Sequence, residues 1–161
     1  MITFFRPLDE NSARQIISWQ YEAPFDIYNL ASPDPEETVQ YLLDPQNAFY
    51  GIDGPTGELE AFCSFGPDGQ VNGGDYYSTS ALDIGLGVRP DLTGQGHGSR
   101  YVNAVIDFAQ RTYAPDRLRV TIAAFNHRAQ RVWEKAGFQV VQSFQGGWTN
   151  MDFVVMIKSS S

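Results

Sequence analysis

Residues 82–99, Leu-Asp-Ile-Gly-Leu-Gly-Val-Arg-Pro-Asp-Leu-Thr-Gly-Gln-Gly-His-Gly-Ser, constrain the fold more than any other stretch. Leu82, Ile84, Leu86 and Val88 alternate with Asp83, Gly85 and Gly87, a period of two that predicts a strand over 81–88. After Tyr101 the period lengthens. Tyr101, Val102, Val105, Ile106, Phe108 and Ala109 share one face of a helix predicted over 97–113. Between the two lie Pro90 and the glycines Gly94, Gly96 and Gly98. A glycine-rich turn feeding a helix start is a device for holding an anion. The first N–H groups of a helix are unpaired, and its dipole favours negative charge there. Glycines keep side chains from standing between that backbone and a ligand. The stretch therefore predicts a phosphate-bearing ligand near residue 96.

Two phosphate motifs do not fit. A dinucleotide fingerprint needs G-x-G-x-x-G straight after its strand and an acid about 20 residues on. Here the spacing is Gly94-x-Gly96-x-Gly98, with no suitable acid after the next strand. A P-loop needs Lys-Ser/Thr after its last glycine, and His97-Gly98-Ser99 has no lysine.

The spacing resembles that of the GNAT superfamily of acyl-CoA N-acyltransferases, whose pyrophosphate loop reads Q/R-x-x-G-x-G/A. That pattern aligns with Thr93-Gly94-Gln95-Gly96-His97-Gly98, with Thr93 departing from Gln or Arg. A second block, Val120 to Phe138, is similar to the strand, Asn, helix and "E-K-x-G-F" ending of that superfamily. The two blocks stand in the right order on either side of one helix, over roughly residues 81–138.

The resemblance implies transfer of an acetyl group from acetyl-CoA, as co-substrate, to an amine acceptor. It implies that the pantetheine arm bonds the backbone of Leu86, Gly87 and Val88, in a wedge between strands 81–88 and 117–123. The Val88 N–H would polarise the thioester carbonyl. Thr93, Gly94, Gln95, Gly96, His97, Gly98 and Ser99 would hold the pyrophosphate, with Asn126 as helix cap and pantetheine contact. Gly85 and Gly87 suit either close backbone approach or a strand bulge. Asp83, an acid in an apolar strand, is the candidate base for deprotonating the amine, and would equally serve to orient the acceptor. Asp75 is an alternative. The family's tyrosine acid falls on Trp133, whose indole N–H does not ionise usefully. Trp133 is then a packing wall beside the pantetheine, and the thiolate takes its proton from water or from another tyrosine. A non-catalytic acyl-CoA-binding sensor would keep the same loop, and Trp133 is the residue that admits that alternative.

Composition bounds the rest. A chain of 161 residues predicts one domain over 1–161 with a real core. With 19 acids against 11 bases the net charge is −8, which disfavours nucleic acid and suits a cationic acceptor. No apolar run spans a bilayer, the start Met1-Ile-Thr-Phe-Phe-Arg lacks a signal pattern, and Cys63 is the single cysteine. The expectation is a cytoplasmic enzyme with no membrane or nucleic-acid partner. Two histidines and one cysteine also argue against a dedicated metal site.

The remaining pattern predicts a strand at Ile2–Arg6, a helix carrying Ile16, Ile17 and Trp19, and a second helix from Ser32 to before Pro45. Strands follow at 48–52 and 59–65, then a polar, glycine-rich insert over 66–79. Beyond the central block come a strand at 117–123, a helix at 127–136, and strands near 138–145 and 148–158 around Gly146-Gly147. The order β-α-α-β-β-β-α-β-α-β-β gives an α/β (α+β) class, matching the mixed, twisted sheet with helices on both faces that the resemblance implies. The edge of the last hairpin offers a surface for a homodimer. Trp19 to Tyr28 gathers aromatics and acids between the first two helices, where the resemblance implies the acceptor cleft. Tyr21, Phe25 and Tyr28, together with Asp83, are the candidate acceptor-binding residues, and a satellite apolar cluster is the bland alternative.

Overall fold

The computed structural model describes residues 3–159. The elements follow the expected order: β1 (Phe4–Pro7), α1 (Glu10–Ser18), α2 (Pro35–Leu43), β2 (Phe49–Asp53), β3 (Leu59–Phe65), β4 (Leu82–Val88), α3 (Gly98–Tyr113), β5 (Arg117–Ala123), α4 (His127–Lys135), β6 (Gln139–Gln145) and β7 (Asp152–Ser159). The strands hydrogen-bond in the order β1-β2-β3-β4-β5-β7-β6. The mixed α/β class and the order of elements are as the sequence indicates. Ile2, expected in the first strand, lies outside the described residues.

Two compact units share β4. One holds the chain up to Ser64 with Leu86–Gln95, the other Phe65–Gly85 with the chain from Gly96 onward. In the first, β1 pairs antiparallel with β2, and β2 with β3. The apolar stripes of α1 (Ala13, Ile16) and α2 (Val39, Leu42) join Leu8, Trp19 and Leu59 in one core. Asp9 starts α1 by accepting from the Ser12 N–H at 2.8 Å, and Asp34 starts α2 by accepting from Glu37 at 3.1 Å. In the second unit, β5 pairs antiparallel with β7, and β7 with β6. Tyr101, Val102, Val105, Ile106 and Ala109 form the buried face of α3, as their spacing predicts.

The structure trims several of the expected elements, among them the second helix, which starts at Pro35 and not at Ser32. The first helix ends at Ser18, leaving Trp19 as its C-cap. His97 is the N-cap of α3 and lies outside the helix. The last strand begins at Asp152 because the chain turns over 146–151, closed by the Gly146 N–H on the Met151 carbonyl at 2.9 Å. The 66–79 insert is not a loose loop. It carries a short turn at Pro67–Gly69, and the Tyr76 hydroxyl pairs with the Thr121 hydroxyl at 2.8 Å.

Candidate active site

Backbone direction decides what the end of β4 can do. The Arg89 N–H donates to the Glu60 carbonyl of β3 at 2.8 Å. N–H and C=O groups alternate sides along a strand, so those of Val88 and Leu86 turn away from β3. The Tyr21 hydroxyl confirms this for Val88, donating to its carbonyl at 2.7 Å. Gly87 is a glycine for a packing reason, because an added Cβ would clash with the edge of the Phe62 ring. Its open backbone is therefore a consequence of β3–β4 packing within the first unit.

The loop that follows is braced from inside. Arg89 holds both Asp91 oxygens, at 2.6 and 3.2 Å, and reaches the Leu59 carbonyl at 3.0 Å. The first of those bonds is the main cause of the lowered Asp91 pKa. Thr93, where the family pattern has Gln or Arg, donates through Oγ1 to the Pro90 carbonyl at 2.7 Å. Gln95 folds back through Nε2 onto the Asp91 carbonyl at 2.6 Å. Gly94 and Gly96 take φ of 71° and 83°, a conformation that side chains disfavour. A Cβ on Gly96 would meet nothing within 4 Å. The backbone there faces open space.

Where α1, α2 and α4 each begin with an Asp or Asn side chain on a backbone N–H, no side chain caps α3. Its first turn thus keeps N–H groups directed outward, at the positive end of the dipole. Ser99 is exposed there, and His97 is half-buried. Gly98 serves packing, since a Cβ would come within 3.2 Å of Val132 Cγ2 on α4. Asn126 caps α4 by accepting from the Ala129 N–H at 3.2 Å. Trp133 is buried, edge-on to Phe138 with ring centres 4.9 Å apart, so it packs inside the second unit.

The structure corrects the reading of Asp83. This carboxylate is 3% exposed and both oxygens are occupied. Oδ1 accepts from Arg119 Nε at 2.7 Å, and Oδ2 from Arg119 Nη2 at 2.8 Å and Gln70 Nε2 at 2.9 Å. A base must be within reach of the proton it takes, and this carboxylate is buried against a cation. Asp83 also stands five residues up β4 from Val88, about 16 Å of strand. It is the anionic half of a buried ion pair, which in turn raises the pKa of Arg119. Neither the base role nor an acceptor contact fits it. Asp75, the alternative, accepts from the Tyr77 and Ser78 N–H groups, and its pKa is lowered first by the Ser78 side-chain hydrogen bond and then by those two.

Sequence reasoning missed Arg119, Gln70 and Tyr76 as the partners that hold Asp83 and the insert. The signal was present in β5, where Arg117 and Arg119 alternate with Leu118, Val120 and Ile122. An acid in one apolar strand and an arginine in another are natural partners. Of the expected acceptor residues, Tyr21 is half-buried against Val88, Phe25 is half-buried, and Tyr28 is exposed. Phe25 and Tyr28 bound a short 3₁₀ turn with exposed Asp26 inside it.

The acetyltransferase (GNAT) family model matches residues 11–138. The chain belongs to the acetyltransferase (GNAT) family. It is accordingly an acyl-CoA-dependent acetyltransferase, as its strand–glycine loop–helix pattern implies. No curated relative was found. Solved structures share the GNAT fold at low identity. A spermidine N-acetyltransferase chimera of Vibrio cholerae SpeG and hSSAT superposes with a TM-score of 0.77 at 15% identity, covering 98% of this chain and 95% of that one. The aminoglycoside acetyltransferase AAC(6')-Ib, solved with acetyl-CoA, gives 0.75 at 18% identity, with 98% and 93% covered. A GNAT-family acetyltransferase from Bacillus anthracis gives 0.72 at 15%, with 98% and 94% covered. No described helix of this GNAT chain is long and apolar enough to cross a membrane. Among the described residues, no group of three His, Cys, Asp or Glu side chains is placed to hold a metal ion.

Proposed function

We propose that this GNAT protein moves the acetyl group of acetyl-CoA to a primary amine of a small molecule or peptide, by direct attack on the thioester. The observation that carries the reading is the end of β4. There the backbone of Leu86 and Val88 turns away from β3, and the chain runs on through two left-handed glycines to an uncapped helix start. The pantetheine arm would bond the Leu86–Val88 backbone, with Asn126 adding a contact. The pyrophosphate would rest on the loop from Thr93 to Ser99, where Gly96 leaves room for it.

Acetyl-CoA supplies the activated acyl group, and the protein's task is alignment and charge stabilisation. The Val88 N–H would stabilise negative charge developing on the carbonyl oxygen, a contribution of about 3 kcal/mol in comparable acyl transfers. Phe25 and Tyr28 offer faces for the acceptor, and the exposed acids Glu22 and Asp26 attract its protonated form. With Asp83 sealed, the amine gives its proton to water. Water also protonates the departing thiolate, since Trp133 cannot. A cytoplasmic setting fits the lone, fully buried Cys63, whose thiol pKa is pushed up by burial. A second copy would pair along the edge strand β6, where Val140 and Val141 are exposed.

The test is release of CoA thiol from acetyl-CoA across a panel of polyamines, aminoglycosides, amino acids and peptides. Amine-dependent release supports the reading. Tight acetyl-CoA binding with no release for any amine would favour the sensor alternative.

A further inference from the structure

Tyr21 stands in the α1–α2 connection, far in sequence from the strand end it touches. Its backbone N–H donates to Asn29 Oδ1 at 2.8 Å, and its phenol donates to the Val88 carbonyl at 2.7 Å. The Val88–Arg89 peptide is consequently held from both sides. Its carbonyl takes the Tyr21 hydroxyl, and its N–H, on Arg89, gives to the Glu60 carbonyl at 2.8 Å. A peptide unit is rigid, so holding both of its polar ends restrains ψ of Val88. That torsion, with φ of the same residue, sets where the neighbouring Val88 N–H points.

We infer that Tyr21 is a positioning residue for acetyl transfer: by pinning the Val88 carbonyl it aims the Val88 N–H at the thioester oxygen. The inference rests on the acetyl-CoA reading of β4 given above. An oxyanion donor is effective only when its direction is set before the reaction. The edge of Val88 facing away from β3 is where Tyr21 supplies the restraint. Burial pushes the phenol up to about 12, so it remains a donor across the working pH range. The same value argues against a role as acid. Passing a proton from such a phenol to a thiolate, whose conjugate acid lies near about 8.5, runs uphill. Tyr76 and Tyr77 do not offer the restraint, since Tyr76 is bonded to Thr121 and Tyr77 is 94% exposed. Asn29 extends the linkage, because it holds the backbone of Tyr21 beside the residues proposed to meet the acceptor.

The experiment is carbon NMR of acetyl-CoA labelled at the acetyl carbonyl, bound to the wild-type protein and to Tyr21→Phe. Phenylalanine keeps the ring and removes one hydrogen bond. Wild type should move the carbonyl resonance downfield on binding, the mark of a donor on its oxygen. Tyr21→Phe should bind acetyl-CoA within about threefold of wild type and lose at least half of that displacement. The amide resonances of Val88 and Arg89 should shift in the ligand-free variant. Asn29→Ala, which loosens the Tyr21 backbone and keeps the phenol, should give a smaller loss of the same kind. An unchanged carbonyl displacement with unchanged Val88 and Arg89 amides overturns the inference on Tyr21. If wild type itself fails to bind labelled acetyl-CoA, the cofactor reading fails instead, and the two failures are distinct.

Discussion

Strand β4 is built in two ways along its length. Its first half is closed by side chains: Asp83, 3% exposed, is clamped by Arg119 and Gln70. Its second half, Leu86 to Val88, offers mainly backbone, flanked by a glycine that Phe62 requires and a carbonyl that Tyr21 holds. The halves also fall in different compact units. A charged side chain in an apolar strand marks architecture here, while the proposed chemistry falls to groups every residue possesses. Burying an ion pair brings little net stability, but removing one partner strands a charge. Backbone donors carry no such liability and need only to be aimed.

The sharpest way to break that contrast is to cut the clamp. Arg119→Met should lower unfolding stability by about 3–5 kcal/mol in urea titration, because it leaves the Asp83 carboxylate buried and uncompensated. Replacing both, Asp83→Leu with Arg119→Met, should recover most of the loss. The folded fraction of either protein should still bind acetyl-CoA within about threefold of wild type. If Asp83→Asn instead kept full stability and abolished turnover, the first half of β4 would be catalytic and the contrast would collapse.

A smaller effect belongs to Gly87→Ala. The new methyl must displace the Phe62 ring, so a destabilisation of about 1–3 kcal/mol is expected. Gly96→Ala sharpens the other side. It meets open space but must hold φ near 83°, which costs about 1–2 kcal/mol of loop strain. Calorimetry should show weaker acetyl-CoA binding and almost unchanged binding of a fragment without the pyrophosphate. Equal weakening of both ligands would remove the loop from the pyrophosphate site.

The smallest effect is with acid. Asp91 is held below its ordinary value of 3.8 by the Arg89 hydrogen bond. A carboxylate with a lowered folded pKa stabilises above its unfolded pKa and ceases to do so as pH falls through the folded one. The loop brace should therefore be complete above about pH 4 and be lost progressively as pH falls from there through the lower folded pKa. Because Asp91 is exposed, the change in acetyl-CoA affinity across that range should be slight.

Much of this was legible in the sequence. Period two over 82–88, period 3.6 after Tyr101 and the glycines between them placed β4, the loop and α3 to within a residue or two. Asn126 announced one helix start by its capping chemistry. The partner of Asp83 was not read, because pairing between β4 and β5 is a tertiary fact that one strand's pattern does not carry. Asp83↔Arg119 is a rung of their parallel ladder. In sequence, Gly98 suits a ligand's approach and Gly87 suits that or a strand bulge, while in the structure an added Cβ would also meet Phe62 at Gly87 and Val132 at Gly98. An absent side chain looks the same in sequence whatever fills the space. Tyr21 on Val88 joins residues 67 positions apart, a separation at which no local signal survives.

The second half of β4 and its glycine loop are proposed to hold acetyl-CoA. Calorimetric titration of the wild-type protein with acetyl-CoA, and then with S-acetylpantetheine, which lacks the pyrophosphate, tests it most directly. The account expects one-to-one micromolar binding of acetyl-CoA and a loss of at least tenfold with the fragment. No binding at millimolar acetyl-CoA, or equal affinity for the two ligands, would contradict it.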